Sequence, residues 1–206
     1  MNPRLLEKLN AHPELLSDPA DQQYPVTGMS WPADEALLAD LGDDCPGLRV
    51  HYLEGTLEIT LPGRQHEVIK DHIAGLLRAS FEETRTRCYG LGSTTLRAAA
   101  KRRGAEPDVS FGIGIDKEFP DIAIKVVQTS GGVNKRLIYQ GLSVVEVGFW
   151  QNDQVEVYRW QGERYERREH SEIFPALELS LLATDVRYPE PFDAVIEFRQ
   201  ALRSAQ

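Results

Sequence analysis

Cysteine is nearly absent from this chain: Cys45 and Cys88 are the only two in 206 residues, far apart and without a neighbouring thiol. That excludes a cysteine-based zinc spacing, and without an export signal the pair reads as two free thiols. Long apolar runs are also lacking. No stretch approaches the roughly 20 apolar residues of a membrane span, and the opening MNPRLLEKLNAHPELL has no continuous signal-type segment. The expectation is a cytoplasmic protein with no membrane partner. Positive charge is in deficit, with 23 Lys plus Arg against 32 Asp plus Glu and a formal net charge of −9. This argues against a general nucleic-acid coat, because non-specific affinity comes mainly from cations on phosphates, but it leaves a local basic cleft open. No repeat and no glycine loop with the spacing of a nucleotide-phosphate cradle is present.

What remains is ordinary globular composition, 41% hydrophobic and 27% charged, enough for one domain with a full core. Residues 1–48 read as an N-terminal helical arm: Leu5, Leu6 and Leu9 have helical spacing, Pro13, Pro19 and Pro25 break the next stretch, and a short helix follows Trp31 and Pro32. Residues 49–206 read as a single domain. Within it, RVHYLEGTLEITL alternates about Gly55 and predicts a β-hairpin. The run HEVIKDHIAGLLRASFEETR predicts a helix burying Ile69, Ile73, Leu76, Leu77 and Phe81. His66 and Glu67 fall in its first turn, where a carboxylate is favourable beside the helix dipole. A strand at GLGSTTLRAAA precedes the cations Lys101, Arg102 and Arg103, read as a solvated turn. Further on come a short helix between Asn134 and Gly141, a strand at SVVEVGFW, a hairpin turning at Gln161-Gly162, and a last helix near 192–202.

The stretch from Glu106 to Lys135 carries the chemistry. GAEPDVSFG and FPDIAIKVV are short apolar strands bounded by Gly and Pro, as strands buried on both faces look. An acid stands at the entrance of each, and a lysine follows the TSGG turn. A carboxylate just ahead of a buried strand is costly to desolvate unless a partner satisfies it. Two acids converging with a lysine form the minimum kit for metal-dependent phosphodiester hydrolysis, in which carboxylates hold Mg²⁺ or Mn²⁺ and the ion activates a water. The strand, helix, strand order at 121–150 implies a parallel crossover, hence a mixed sheet flanked by helices.

These segments also carry a resemblance. GSTTLR, GAEPDVSFGI and FPDIAIKVVQTSGGVNKRLIYQGLSVVEVGFW resemble the Uma-type family of restriction-endonuclease-like proteins, a branch of the PD-(D/E)xK nuclease superfamily, most closely over residues 49–160. The resemblance implies an α/β restriction-endonuclease-like core, a divalent-metal site (Mg²⁺ or Mn²⁺) and DNA as substrate. Carried over residue by residue, Asp108 matches the first acidic ligand and Lys135 the site lysine. The second acid is missing, because Lys125 stands where similar proteins have Glu. Glu106 and Asp121 are then the candidate substitute metal ligands, with Asp108, Lys125 and Lys135 as the candidate catalytic groups. Two readings of Lys125 stay open: an ion pair with Asp108 or Asp121 in place of the metal, or a lysine serving catalysis beside a metal. They correspond to a catalytically inactive binding or assembly module and to an endonuclease. A homodimer is expected of an enzyme that cuts both strands of a duplex.

Overall fold

A computed structural model of the chain describes residues 21–42, 47–128 and 133–204. The expected arm helix at Leu5–Leu9, Cys45 and the TSGG turn lie outside the described residues. The elements in chain order are β1 (Gln22–Thr27), α1 (Trp31–Leu41), β2 (Arg49–Leu53), β3 (Thr56–Leu61), α2 (Arg64–Glu83), β4 (Cys88–Gly90), β5 (Leu96–Ala98), β6 (Arg103–Ala105), β7 (Val109–Ile113) and β8 (Ile122–Val126). Then follow α3 (Lys135–Gln140), β9 (Glu146–Gln151), β10 (Gln154–Trp160), β11 (Tyr165–Arg168), α4 (Leu179–Val186) and α5 (Pro191–Ser204). The fold is mixed α/β, with two sheets and flanking helices, as the sequence order implies. Among the described residues no helix is long and apolar enough to cross a membrane.

The chain forms two compact units. The first comprises residues 1–67, 95–106 and 128–142. Its sheet runs β1-β3-β2-β6-β5. The β2–β3 hairpin turns at Glu54 and Gly55, both with positive φ (46° and 101°), the geometry of a tight hairpin turn that glycine makes accessible. Alternation then divides the hairpin. Val50, Tyr52, Leu57 and Ile59 pack with Trp31, Leu37, Leu38 and Leu41 of α1. The opposite face carries the cross-strand pairs Arg49–Thr60 and His51–Glu58, and all four residues are buried. The expectation of a helical stretch ahead of β2 is met by α1, whose N-cap Ser30 accepts a hydrogen bond from the Ala33 N–H. Residues 22–27, however, are strand: β1 pairs with β3 along its whole length. Pro25 is tolerated because β1 lies at the sheet edge, where a missing N–H breaks no second ladder.

The second unit comprises residues 68–94, 107–127 and 143–206. Its sheet runs β11-β10-β9-β8-β7-β4, antiparallel except for the parallel pair β8–β9. Its core joins the apolar face of α2 (Ile73, Leu76, Leu77, Phe81) to Val109, Phe111, Ile122, Ile124, Val126 and Trp150 of the sheet and to Phe174, Leu182, Phe198 and Leu202. Phe81 sits against Phe111 and Phe174 at ring-centroid separations of 5.0 and 4.9 Å. The helix α4 was not expected from the sequence. Glu146 opens β9 and fixes the next segment: its buried carboxylate accepts hydrogen bonds from Arg159, from Ser171 Oγ and from the N–H groups of Glu172 and Ile173.

Candidate functional site

Pro107 biases Glu106 toward extended backbone, and Asp108 enters the sheet directly after it, its N–H donating to the Ile124 carbonyl at 2.9 Å. This puts the Asp108 side chain at the C-terminal end of β8. Lys125 Nζ donates to Asp108 Oδ1 at 2.9 Å, and the Val126 N–H donates to Oδ2 at 2.7 Å. The carboxylate is fully buried and the lysine side chain 3% exposed. Both Asp108 oxygens are therefore engaged, one by a unit positive charge and one by an amide.

Asp121 stands at the other end of the same strand. Four residues at roughly 3.3 Å each separate it from Lys125 by about 13 Å. Its Oδ2 accepts hydrogen bonds from Lys117 Nζ at 2.6 Å and from the Ile113 N–H at 2.7 Å. The face shared by alternation thus does not bring Asp121 to Asp108, and the ion-pair partner of Lys125 is Asp108. Glu106 belongs to the first unit, where its Oε1 accepts from the Val50 N–H at 3.3 Å and its own N–H donates to His51 Nδ1 at 3.5 Å.

Lys135, also in the first unit, follows the N-cap Asn134, whose side chain accepts from the Arg136 and Leu137 N–H groups. Its ammonium is paired with Glu58 Oε1. Glu58 Oε2 accepts from the Val133 N–H at 2.8 Å, and Thr60 Oγ1 donates to Oε1 at 3.3 Å. The sequence reading missed Glu58. The available signal was an acid in the middle of an alternating strand, which period-2 logic assigns to solvent, whereas this side chain is fully buried. The structure thus uses one arrangement twice, once in each unit: a buried carboxylate held by one lysine and one backbone N–H.

Other sequence candidates have structural partners. His66, buried in the first turn of α2, places Nδ1 2.8 Å from Asp21 Oδ2, and Asp21 Oδ1 accepts from the Gly63 N–H. Arg97 pairs with buried Asp34 and lies 4.1 Å over the Trp31 ring. Burial raises the Asp34 pKa in spite of that guanidinium. Arg103 pairs with Glu54 at 2.7 Å, while Lys101 and Arg102 are exposed, as the solvated turn requires.

The donor set does not fit a divalent ion. An ammonium 2.9 Å from Asp108 stands where a cation would bind, and like charges repel there by roughly 4 kcal/mol per unit charge at about 4 Å and an effective dielectric constant near 20. Asp121 is held by Lys117 and the Ile113 N–H at the far end of β8, away from Asp108. Among the described residues no group of three His, Cys, Asp or Glu is arranged to hold a metal.

A family model described as "Putative restriction endonuclease" matches residues 35–197, which puts this mixed α/β fold in the restriction-endonuclease-like class. The chain belongs to this family, Uma2. Among solved structures it is similar to the crystal structure of a protein described as a putative nuclease belonging to DUF820 from Anabaena variabilis ATCC 29413, with 16% identity and a TM-score of 0.49 over 66% of this chain and 89% of that one. No curated protein matches.

Proposed function

We propose that this chain is a non-cleaving member of its nuclease family, a binding or assembly module in which the Lys125 ammonium takes the place of a metal ion beside Asp108. The observation that carries the reading is the complete engagement of the Asp108 carboxylate, by Lys125 Nζ on one oxygen and the Val126 N–H on the other. Divalent metals are the general means by which restriction-endonuclease-like proteins cut DNA, and this donor set is unsuited to one. A charge-neutral buried pair cannot polarise a phosphodiester as a dication does. DNA is the partner to test first, and a homodimer is to be sought by sedimentation.

The competing reading is a Mg²⁺- or Mn²⁺-dependent DNA endonuclease using Asp108, Lys125 and Lys135, favoured by the family match. The two separate cleanly. Incubated with Mn²⁺ and single- or double-stranded DNA, the wild-type chain is expected to leave the DNA intact, and calorimetry to show no Mn²⁺ binding. Lys125→Glu restores an acid beside Asp108 and is expected to create a Mn²⁺ site that Asp108→Ala abolishes. Metal-dependent cleavage by the wild type that is lost in Asp108→Ala would overturn the proposal.

A further inference from the structure

Helix α2, in the second unit, ends in a motif that glycine ordinarily completes. The Thr86 N–H donates to the Phe81 carbonyl at 2.8 Å and the Arg85 N–H to the Glu82 carbonyl at 3.2 Å, the bond pair of a Schellman turn, whose left-handed residue is usually glycine. Here that residue is Arg85, at φ 54°, with a steric strain that glycine would not carry. The residue is exposed, so packing does not account for an arginine there. The Gly114 N–H donates to the Arg87 carbonyl at 2.8 Å, next to the β4–β7 ladder. Alternation then puts Arg87 and Tyr89 on one face of the edge strand β4, while Cys88 packs against the core. Tyr89 is 45% exposed. On the other face Arg78 of α2 reaches the end of the strand, its Nη2 3.6 Å from where a Cβ on Gly90 would stand.

Among the described residues Arg78, Arg85 and Arg87 have no acidic partner. The acids at the same helix end, Glu82 and Glu83, are held by Arg199 and Arg203 of α5, and Asp116 and Glu118 of the adjoining β7–β8 loop make no bond to the three arginines. Unneutralised guanidiniums around an exposed aromatic ring are the two parts of a single-strand binding surface, one for phosphates and one for base faces. They stand together in a chain whose net charge is −9. We propose that the β4 edge binds single-stranded DNA, with Arg78, Arg85 and Arg87 contacting phosphates and the Tyr89 ring stacking on an unpaired base. A duplex supplies the phosphates but hides its base faces, and its denser charge is repelled more strongly by the acidic remainder of the chain. The inference rests on the reading of this chain as a DNA-binding module and names the surface that binds. It uses neither Asp108 nor Lys125, so the cleavage and Mn²⁺ assays decide their question separately.

The test is fluorescence anisotropy of the full chain with a labelled oligothymidylate of about 12 nucleotides, with a duplex of the same length measured in parallel. Wild type is expected to bind the single strand more tightly than the duplex. Its affinity should fall with salt at a log–log slope of about −2, because each of three phosphate contacts contributes roughly 0.7. Arg78→Ala, Arg87→Ala and Arg85→Gly should each remove about 0.7 from that slope. Tyr89→Ala should weaken binding roughly tenfold, and Tyr89→Phe, which keeps the ring, should not. Arg85→Gly also relieves the strained turn, so its Tm should rise while its affinity falls, a combination that a purely structural arginine would not give. Circular dichroism checks the fold of each variant, and should Tyr89→Ala fail to fold, Tyr89→Leu keeps the bulk without the ring and is expected to show the same loss. No measurable binding by the wild type, equal or tighter binding of the duplex, or a folded Tyr89 variant without the ring that binds as the wild type does would overturn the proposal.

Discussion

Replacing Lys125 by Met removes one charge from a buried pair and changes little else in volume, and the cost can be worked from the structure. At 2.9 Å the attraction of two unit charges is roughly 6 kcal/mol at an effective dielectric constant of 20. Desolvation of both groups offsets most of it, so the intact pair adds little net stability. Breaking the pair is another matter. Asp108 would remain buried without the ammonium, and an uncompensated buried charge of this kind costs about 3–5 kcal/mol. In urea, with a slope of about 2–3 kcal/mol per molar for a chain of this size, the midpoint should fall by roughly 1–2 M. Asp108→Asn alone leaves the ammonium uncompensated and should cost a comparable amount. The double variant Lys125→Met/Asp108→Asn carries no charge, keeps an acceptor for the Val126 N–H, and should recover at least half of the sum of the single losses. A Lys125→Met loss below about 1 kcal/mol, or a double variant whose losses simply add, would refute the claim that these two groups neutralise each other in a dry environment.

Two further outcomes follow from groups away from that pair. Glu146→Ala strips the partners from Ser171 Oγ and from the N–H groups of Glu172 and Ile173, and should cost at least about 3 kcal/mol. Hydrogen exchange should accelerate at those two amides before the rest of the β9 region, and unchanged protection there would contradict it. Asp185 is 4% exposed and its Oδ2 has no hydrogen-bond partner. Burial, aided by the nearby Glu197 charge, raises its pKa above the usual 3.8. A carboxyl raised on folding binds more protons in the folded state, so its penalty is absent at pH below the unfolded value and grows as pH rises through the folded one. Asp185→Asn should therefore raise Tm at pH 7 by about 2–4 °C, the shift that roughly 1 kcal/mol produces in a chain of this size, with no gain at pH 3. An equal gain at both pH values would show that the carboxylate charge is not the cause.

Much of the fold was readable because local rules and tertiary structure agree. The Glu54-Gly55 turn, the apolar stripe of α2, the Asn134 cap and the parallel β8–β9 crossover each follow from a short-range pattern that packing reinforces. Where the reading missed, tertiary context outweighed the local signal. Pro25 marks a break in sequence, yet an edge strand with a single neighbour accommodates it. The helix α4 is only eight residues long, too short for its period to stand out. In the candidate site, Asp108 was visible as an acid directly before a buried strand. Glu58 was not, because alternation tells which residues share a face and not whether that face meets water. Asp121 shows the same limit from the other side: it shares a face with Lys125 but lies a strand's length away, beside Lys117.

The order in which the chain visits its two units bears on how this protein can be taken apart. Residues 1–67, 68–94, 95–106, 107–127, 128–142 and 143–206 alternate between them, so the six segments make five passages from one to the other. No single cut separates the two units. Expression of either half alone should give incomplete sheets with exposed edges, prone to aggregate. Recombination in evolution or in the laboratory can therefore exchange this fold only as a whole, and the Asp108–Lys125 pair travels with the Glu58–Lys135 pair whenever it is inherited.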